Sequence, residues 1–141
     1  MRSRGARVMS DEDRDNASPT PDENASLADV WVAHQRNEAE ETAWVLEQVY
    51  ETVSTNFEAA WDLLRALCDA SDGDDSTLCD LGAGPLEDVV GAYGLEAVER
   101  LRDEVGRRPA FLKAAACLWS TKREINNSVD ALLAAHGQQR M

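Results

Sequence analysis

The chain has 141 residues, enough for one domain and a tail, with 43% hydrophobic residues and a formal charge of −13. That hydrophobic share excludes a chain disordered throughout, and the negative charge argues against nucleic acid or an anionic membrane as partner. No apolar run reaches transmembrane length, and no signal-peptide core follows Arg2, Arg4 and Arg7, so a cytoplasmic location is expected.

Residues 1–25 read as a disordered acidic tail. Asp11-Glu12-Asp13-Arg14-Asp15 offers little to bury, Ser18-Pro19-Thr20-Pro21 holds two prolines, and Met9 is a second candidate start. Residues 26–137 read as a single helical domain without strand alternation. Ser26 is placed to cap a first helix with Leu27, Val30, Trp31 and His34 on its inner face. A turn is expected in Arg36–Glu41. A second helix follows, with Trp44 near its start and Leu46, Val49, Tyr50 and Val53 on one stripe. Thr55 or Asn56 caps a third, whose stripe of Phe57, Ala60, Trp61, Leu64, Leu67 and Cys68 is the clearest amphipathic pattern in the chain. Asp72-Gly73-Asp74-Asp75 ends it, and a short turn carries Leu78 and Leu81.

Gly84 is then expected as an N-cap, Pro85 as the first helical residue, and Glu87 as the acid that reaches back to the cap amide. Leu86, Val89, Val90 and Tyr93 point inward, and Gly94 closes the helix. Leu95, Val98, Leu101 and Val105 mark the next helix, Phe111 to Trp119 another, and Ile125, Val129, Leu132 and Leu133 the last. The expected fold is all-α, an orthogonal or solenoid-like array of about six to seven short helices, because helices this short cannot form one long bundle.

The charge is uneven. Residues 26–80 hold thirteen acids against Arg36 and Arg65, whereas residues 81–141 carry equal numbers of each sign. An acidic half of this kind suits a basic protein surface. Glu38, Glu40, Glu41, Trp44, Asp72, Asp74 and Asp75 are the candidate partner-binding residues, with Trp44 the tryptophan best placed to be an exposed anchor. An acidic charge also keeps a protein in solution, so solubility alone is the plain alternative.

No catalytic, cofactor or metal residues are assigned. An EF-hand frame from Asp72 puts Thr77 at the glycine position and Ala83 at the glutamate position. His34, His136, Cys68, Cys79 and Cys117 lack zinc-ligand spacing, and the odd cysteine count does not suggest a disulfide scaffold. Cys68 and Cys117 are expected reduced on apolar faces. His34 reads as a half-buried structural histidine bonded to a backbone group. Glu87 and Asp88 are adjacent, so on a helix they diverge by about 100° and do not share a site. Gly84, Pro85, Leu86 and Glu87 are therefore a structural motif, and Gly82-Ala83-Gly84 lacks the Lys-Ser/Thr of a phosphate loop.

Trp31-Val32-Ala33-His34, Trp61 in an acidic helix, Leu81-Gly82-Ala83-Gly84-Pro85-Leu86-Glu87-Asp88 and a Pro-x-Phe helix ending in Leu118-Trp119 occur in this order. Together they resemble a family of small bacterial domains of unknown function with a Leu-x-x-Gly-Pro-Leu-Glu core. The likeness spans about residues 27–119, leaving the tail and the last helix outside. It implies an all-helical fold and no reaction. A bacterial source also fits two lysines against twelve arginines. The expectation is a non-catalytic protein-binding module. Its sharper form, by analogy of size and charge only, is an immunity-type inhibitor covering a basic partner surface. The alternatives are a small helical enzyme using Glu87 or His34, and a stand-alone regulatory domain without a tight partner.

Overall fold

The structure, a computed structural model, describes residues 19–140. Of the tail expected at residues 1–25, residues 1–18 lie outside the described residues. Eight α-helical segments occur among the described residues: α1 Pro21–Asn37, α2 Trp44–Thr55, α3 Phe57–Ser71, α4 Asp75–Leu81, α5 Glu87–Tyr93, α6 Leu95–Arg107, α7 Phe111–Ala116 and α8 Arg123–Ala135. A π turn at Gly82–Leu86 joins α4 to α5 in one rod, leaving seven helices among the described residues. The all-α expectation holds, and no strand occurs among the described residues.

α1 begins at Pro21, not behind Ser26, so residues 21–25 are helical rather than tail. The cause is a capping box: the Glu23 N–H donates to Thr20 Oγ1 at 3.1 Å, and the Thr20 N–H donates to Glu23 Oε1 at 2.8 Å. Pro21, with no N–H to satisfy, fits the first helical position. Asn56 caps α3, accepting the Ala59 N–H at 2.7 Å. Asp74 caps α4, accepting the Thr77 N–H at 3.2 Å, so the segment expected as a turn around Leu78 is helical.

The expected helix start at Gly84 is also corrected. Leu81 through Glu87 keep right-handed helical backbone, and the chain passes Pro85 by widening into the π turn. A wider turn relieves the clash that a proline ring makes with the carbonyl four residues earlier in an α-helix. Gly82 has a separate reason to be glycine: a Cβ there would lie 1.7 Å from the Ala114 carbonyl oxygen, so this rod rests directly on the backbone of α7.

α3 is the central helix. α1 and α2 pack on it, while α6, α7 and α8 pack on one another, and the α4–π–α5 rod touches both groups. Trp31, Trp61, Leu63, Leu64, Leu67, Phe111 and Leu118 are fully buried in the core. Phe57 and Phe111 meet Trp61 edge-on at 6.3 and 6.0 Å between ring centres. Leu46, Tyr50 and Leu95, expected inside, are exposed; Val49 and Val53 are buried as expected, and Val45 and Thr52 complete the buried stripe of α2.

Candidate functional site

The acidic residues of the first half split into two groups. Exposed Glu40 and Glu41 lie in a 3₁₀ turn, Glu40–Thr42, that leads into Trp44, itself 55% exposed. Exposed Glu47 and Glu51 follow on the solvent side of α2, and none of these four glutamates pairs with a cation among the described residues. Asp72, Asp74 and Asp75 lie elsewhere, between α3 and α4. Asp74 is occupied by its cap and by Arg36, whose Nη2 lies 3.0 Å from Oδ2; Asp75 meets Lys113 at 3.7 Å. Glu38 ends α1 in a left-handed conformation, φ 50°. It joins this second group: burial first, then the charges of Asp74 and Glu38, raise the Asp80 carboxyl above its ordinary value.

His34 and Glu87 are both engaged in the framework. His34 is buried and its Nδ1 lies 2.8 Å from Thr42 Oγ1, not a backbone group. The Thr42 hydroxyl donates to the Ala39 carbonyl at 3.0 Å, so it accepts from an Nδ1–H of His34. This clasp fixes the turn before Trp44. Glu87 does not cap its own helix; its Oε1 accepts the Trp119 N–H at 3.4 Å. Pro85 and Leu86 are buried. Burial, then the charge of Glu87, raises the Asp88 carboxyl.

Two features had no counterpart in the reading of the sequence. Cys79 and Cys117 are joined by a disulfide, Cα atoms 5.3 Å apart, which corrects the expectation that Cys117 is reduced. Cys68 is the free cysteine and is buried; its burial, then the charge of Asp69, pushes the thiol up to about 12.

The second feature is Glu104 on α6, with 0% of its surface exposed. Arg65 of α3 binds its Oε2 through Nε at 2.9 Å and Nη2 at 2.8 Å. Arg100 and Arg108, one turn away on either side, approach at 3.5 and 3.9 Å. Each arginine also holds an acid of α3: Arg100 grips Glu58 at 2.6 and 3.0 Å, Arg65 meets Asp62 at 2.7 Å, and Arg108 meets Asp69 at 2.9 Å. Arg100 also lies over the Phe57 ring at 5.4 Å. The sequence signal was local only in part: Arg100-x-x-x-Glu104-x-x-x-Arg108 is visible at helical spacing, but Arg65 comes from another helix. Beside this cluster, a cavity of about 570 Å³ opens between the first half of α1 and α3, bounded by Arg65 and Arg108.

No group of three or more His, Cys, Asp or Glu able to hold a metal occurs among the described residues, and none of their helices is long and apolar enough to cross a membrane. Residues 32–137, most of the chain, match the family described as Family of unknown function (DUF6869). The chain belongs to that family. The DUF6869 match runs past Trp119 to the end of α8, so the last helix is part of the shared domain and not an addition to it. α8 packs on α6 and α7, which accounts for its inclusion. No curated protein and no solved structure matches the chain.

Proposed function

We propose that this DUF6869 chain is a non-catalytic protein-binding module that receives a basic partner surface on the face around Trp44. The observation that carries this reading is an exposed tryptophan beside Glu40, Glu41 and Glu47, none of them paired with a cation among the described residues. A large flat ring supplies contact area, and unpaired carboxylates steer a basic partner and fix its register. Glu38 and Asp72 extend the acidic field, whereas Asp74 and Asp75 serve mainly their own helix and pairs. The engagement of His34 with Thr42 and of Glu87 with Trp119 supports a non-catalytic role.

The sharper form is an immunity-type inhibitor that shields the basic active surface of a toxin such as a nuclease; the unpaired acidic face supports it by charge alone. A cytoplasmic chain holds Cys79 and Cys117 as thiols, and an oxidising compartment holds them bonded.

The test is retention of a basic protein from the native cell lysate by wild type and by the Glu40→Lys, Glu41→Lys, Trp44→Ala variant. Retention by wild type at low salt, lost at high salt and absent in the variant, supports the reading. Equal retention by both, or none by a folded wild type, overturns it.

A further inference from the structure

Of the few buried polar atoms without a hydrogen-bond partner, Asn24 Oδ1 belongs to a residue on the wall of the cavity between α1 and α3. Asn24 is only 4% exposed, so its carboxamide oxygen stands away from bulk water and unpaired. The same wall carries Asp29, Asp62 and Asp69 against Arg65 and Arg108. Both arginines are already bound to acids, Arg65 to Asp62 and Glu104, Arg108 to Asp69 and Glu104. Asp29 has no such partner among the described residues. An entering anion would have to displace resident carboxylates. An entering cation with several N–H donors and no acceptor meets Asp29 and the Asn24 oxygen, which a turn of the carboxamide presents to the cavity.

We infer that this cavity is a binding site for an alkylguanidinium group. A guanidinium offers five donors in a planar fork and is more weakly hydrated than an ammonium, so it costs less to bring into a partly buried site. Pro21, Ala25, Ala66 and Ala70 on the same wall give an apolar track for the methylene stem. A volume of about 570 Å³ is in the range of small-ligand pockets. The group is borne either by an arginine side chain of another protein or by a free alkylguanidine. This site is separate from the Trp44 face and does not rest on a role for it.

The test is NMR titration of the full chain with agmatine, with acetyl-arginine methylamide, with butylamine and with inorganic phosphate. Saturable shifts of the Asn24 side-chain amide with a guanidine, weakened about tenfold by Asp29→Asn, are expected, because a lost charge-assisted pair removes that much affinity. Agmatine binding better marks a free ligand; the capped arginine binding better marks a protein side chain. Asp29 is exposed, so its variant keeps the fold, and a circular dichroism melt checks this. No saturable shift with either guanidine, an equal response to butylamine, shifts driven by phosphate, or an Asp29→Asn affinity unchanged in the folded variant overturns the inference.

Discussion

Arg65 bridges the surface and the core: one Nη lies 2.7 Å from exposed Asp62 and the other 2.8 Å from Glu104, which is fully buried. The two carboxylates stand in opposite solvents, and the arginine is the main counter-charge of the inner one. Removing either member of this inner pair leaves different debris. Arg65→Met strands a buried carboxylate whose remaining arginines stand 3.5 and 3.9 Å away, at a cost of about 3–5 kcal/mol. Glu104→Met leaves three arginines that each keep an acid on α3, so its cost is smaller, about 1–2 kcal/mol. Urea denaturation measures both. Equal losses would show that Glu104 does not depend on Arg65.

Stability should pass through a maximum at mildly acidic pH. The hydrogen bonds from Arg100 hold Glu58 below 4.5, and the Thr77 backbone N–H, then Thr77 Oγ1 and Arg36, hold Asp74 below 3.8. A carboxyl depressed in the folded state gives stability that is present above its unfolded value and lost as pH falls through the folded one. Asp80 and Asp88 are raised above 3.8, chiefly by burial. Each costs stability while ionised, and the cost is relieved as pH falls through the raised value. The melting temperature should therefore rise as pH falls from neutral through the raised values of Asp80 and Asp88, and fall again as pH drops through the depressed values of Glu58 and Asp74. Asp80→Asn should raise it at neutral pH and flatten the rise. A steady fall from neutral pH downward contradicts this balance.

Thiol counting tests the cysteine arrangement. The oxidised, native protein should show no fast reaction with a thiol reagent at neutral pH, since Cys68 is buried with its thiol pushed up to about 12. Unfolding without reductant should release one thiol. Reduction should lower stability by about 2–4 kcal/mol, the usual worth of a cross-link closing a loop of this order. Three thiols in the unfolded, unreduced protein would rule out the Cys79–Cys117 bond.

Two glycines of one motif should behave oppositely. At Gly82 a methyl group meets the Ala114 carbonyl at 1.7 Å, and backbone cannot yield as a side-chain tip does. Gly82→Ala should cost more than about 3 kcal/mol or prevent folding. At Gly84 a Cβ meets nothing within 4 Å, so Gly84→Ala should be neutral or gain up to about 1 kcal/mol by helix propensity. Thermal melts of the two variants decide it.

The amphipathic stripe of α3 and its Asn56 cap were legible because both are local patterns. The start of α1 is legible too, in Thr20-Pro21-x-Glu23, although the two prolines beside few apolar residues equally signal a tail. At Gly84-Pro85 the local start signal is real, yet the helix runs through it as a π turn. Gly82 against Ala114, Arg65 against Glu104, and Cys79 against Cys117 join residues more than thirty positions apart, and no periodicity within one helix encodes them. The exposure of Trp44 was read from its acidic neighbourhood and is present; the cavity beside Asn24 was not readable, since α1 and α3 form it jointly.

The bond between Cys79 and Cys117 turns residues 79–117 into a covalent ring that includes the π turn, α5 and α6. A protease that cuts once inside that ring cannot separate the two ends of the chain. The nicked molecule keeps its mass on a non-reducing gel and divides into two fragments only when a reductant is added, whereas a cut in the turn before Trp44 divides it at once.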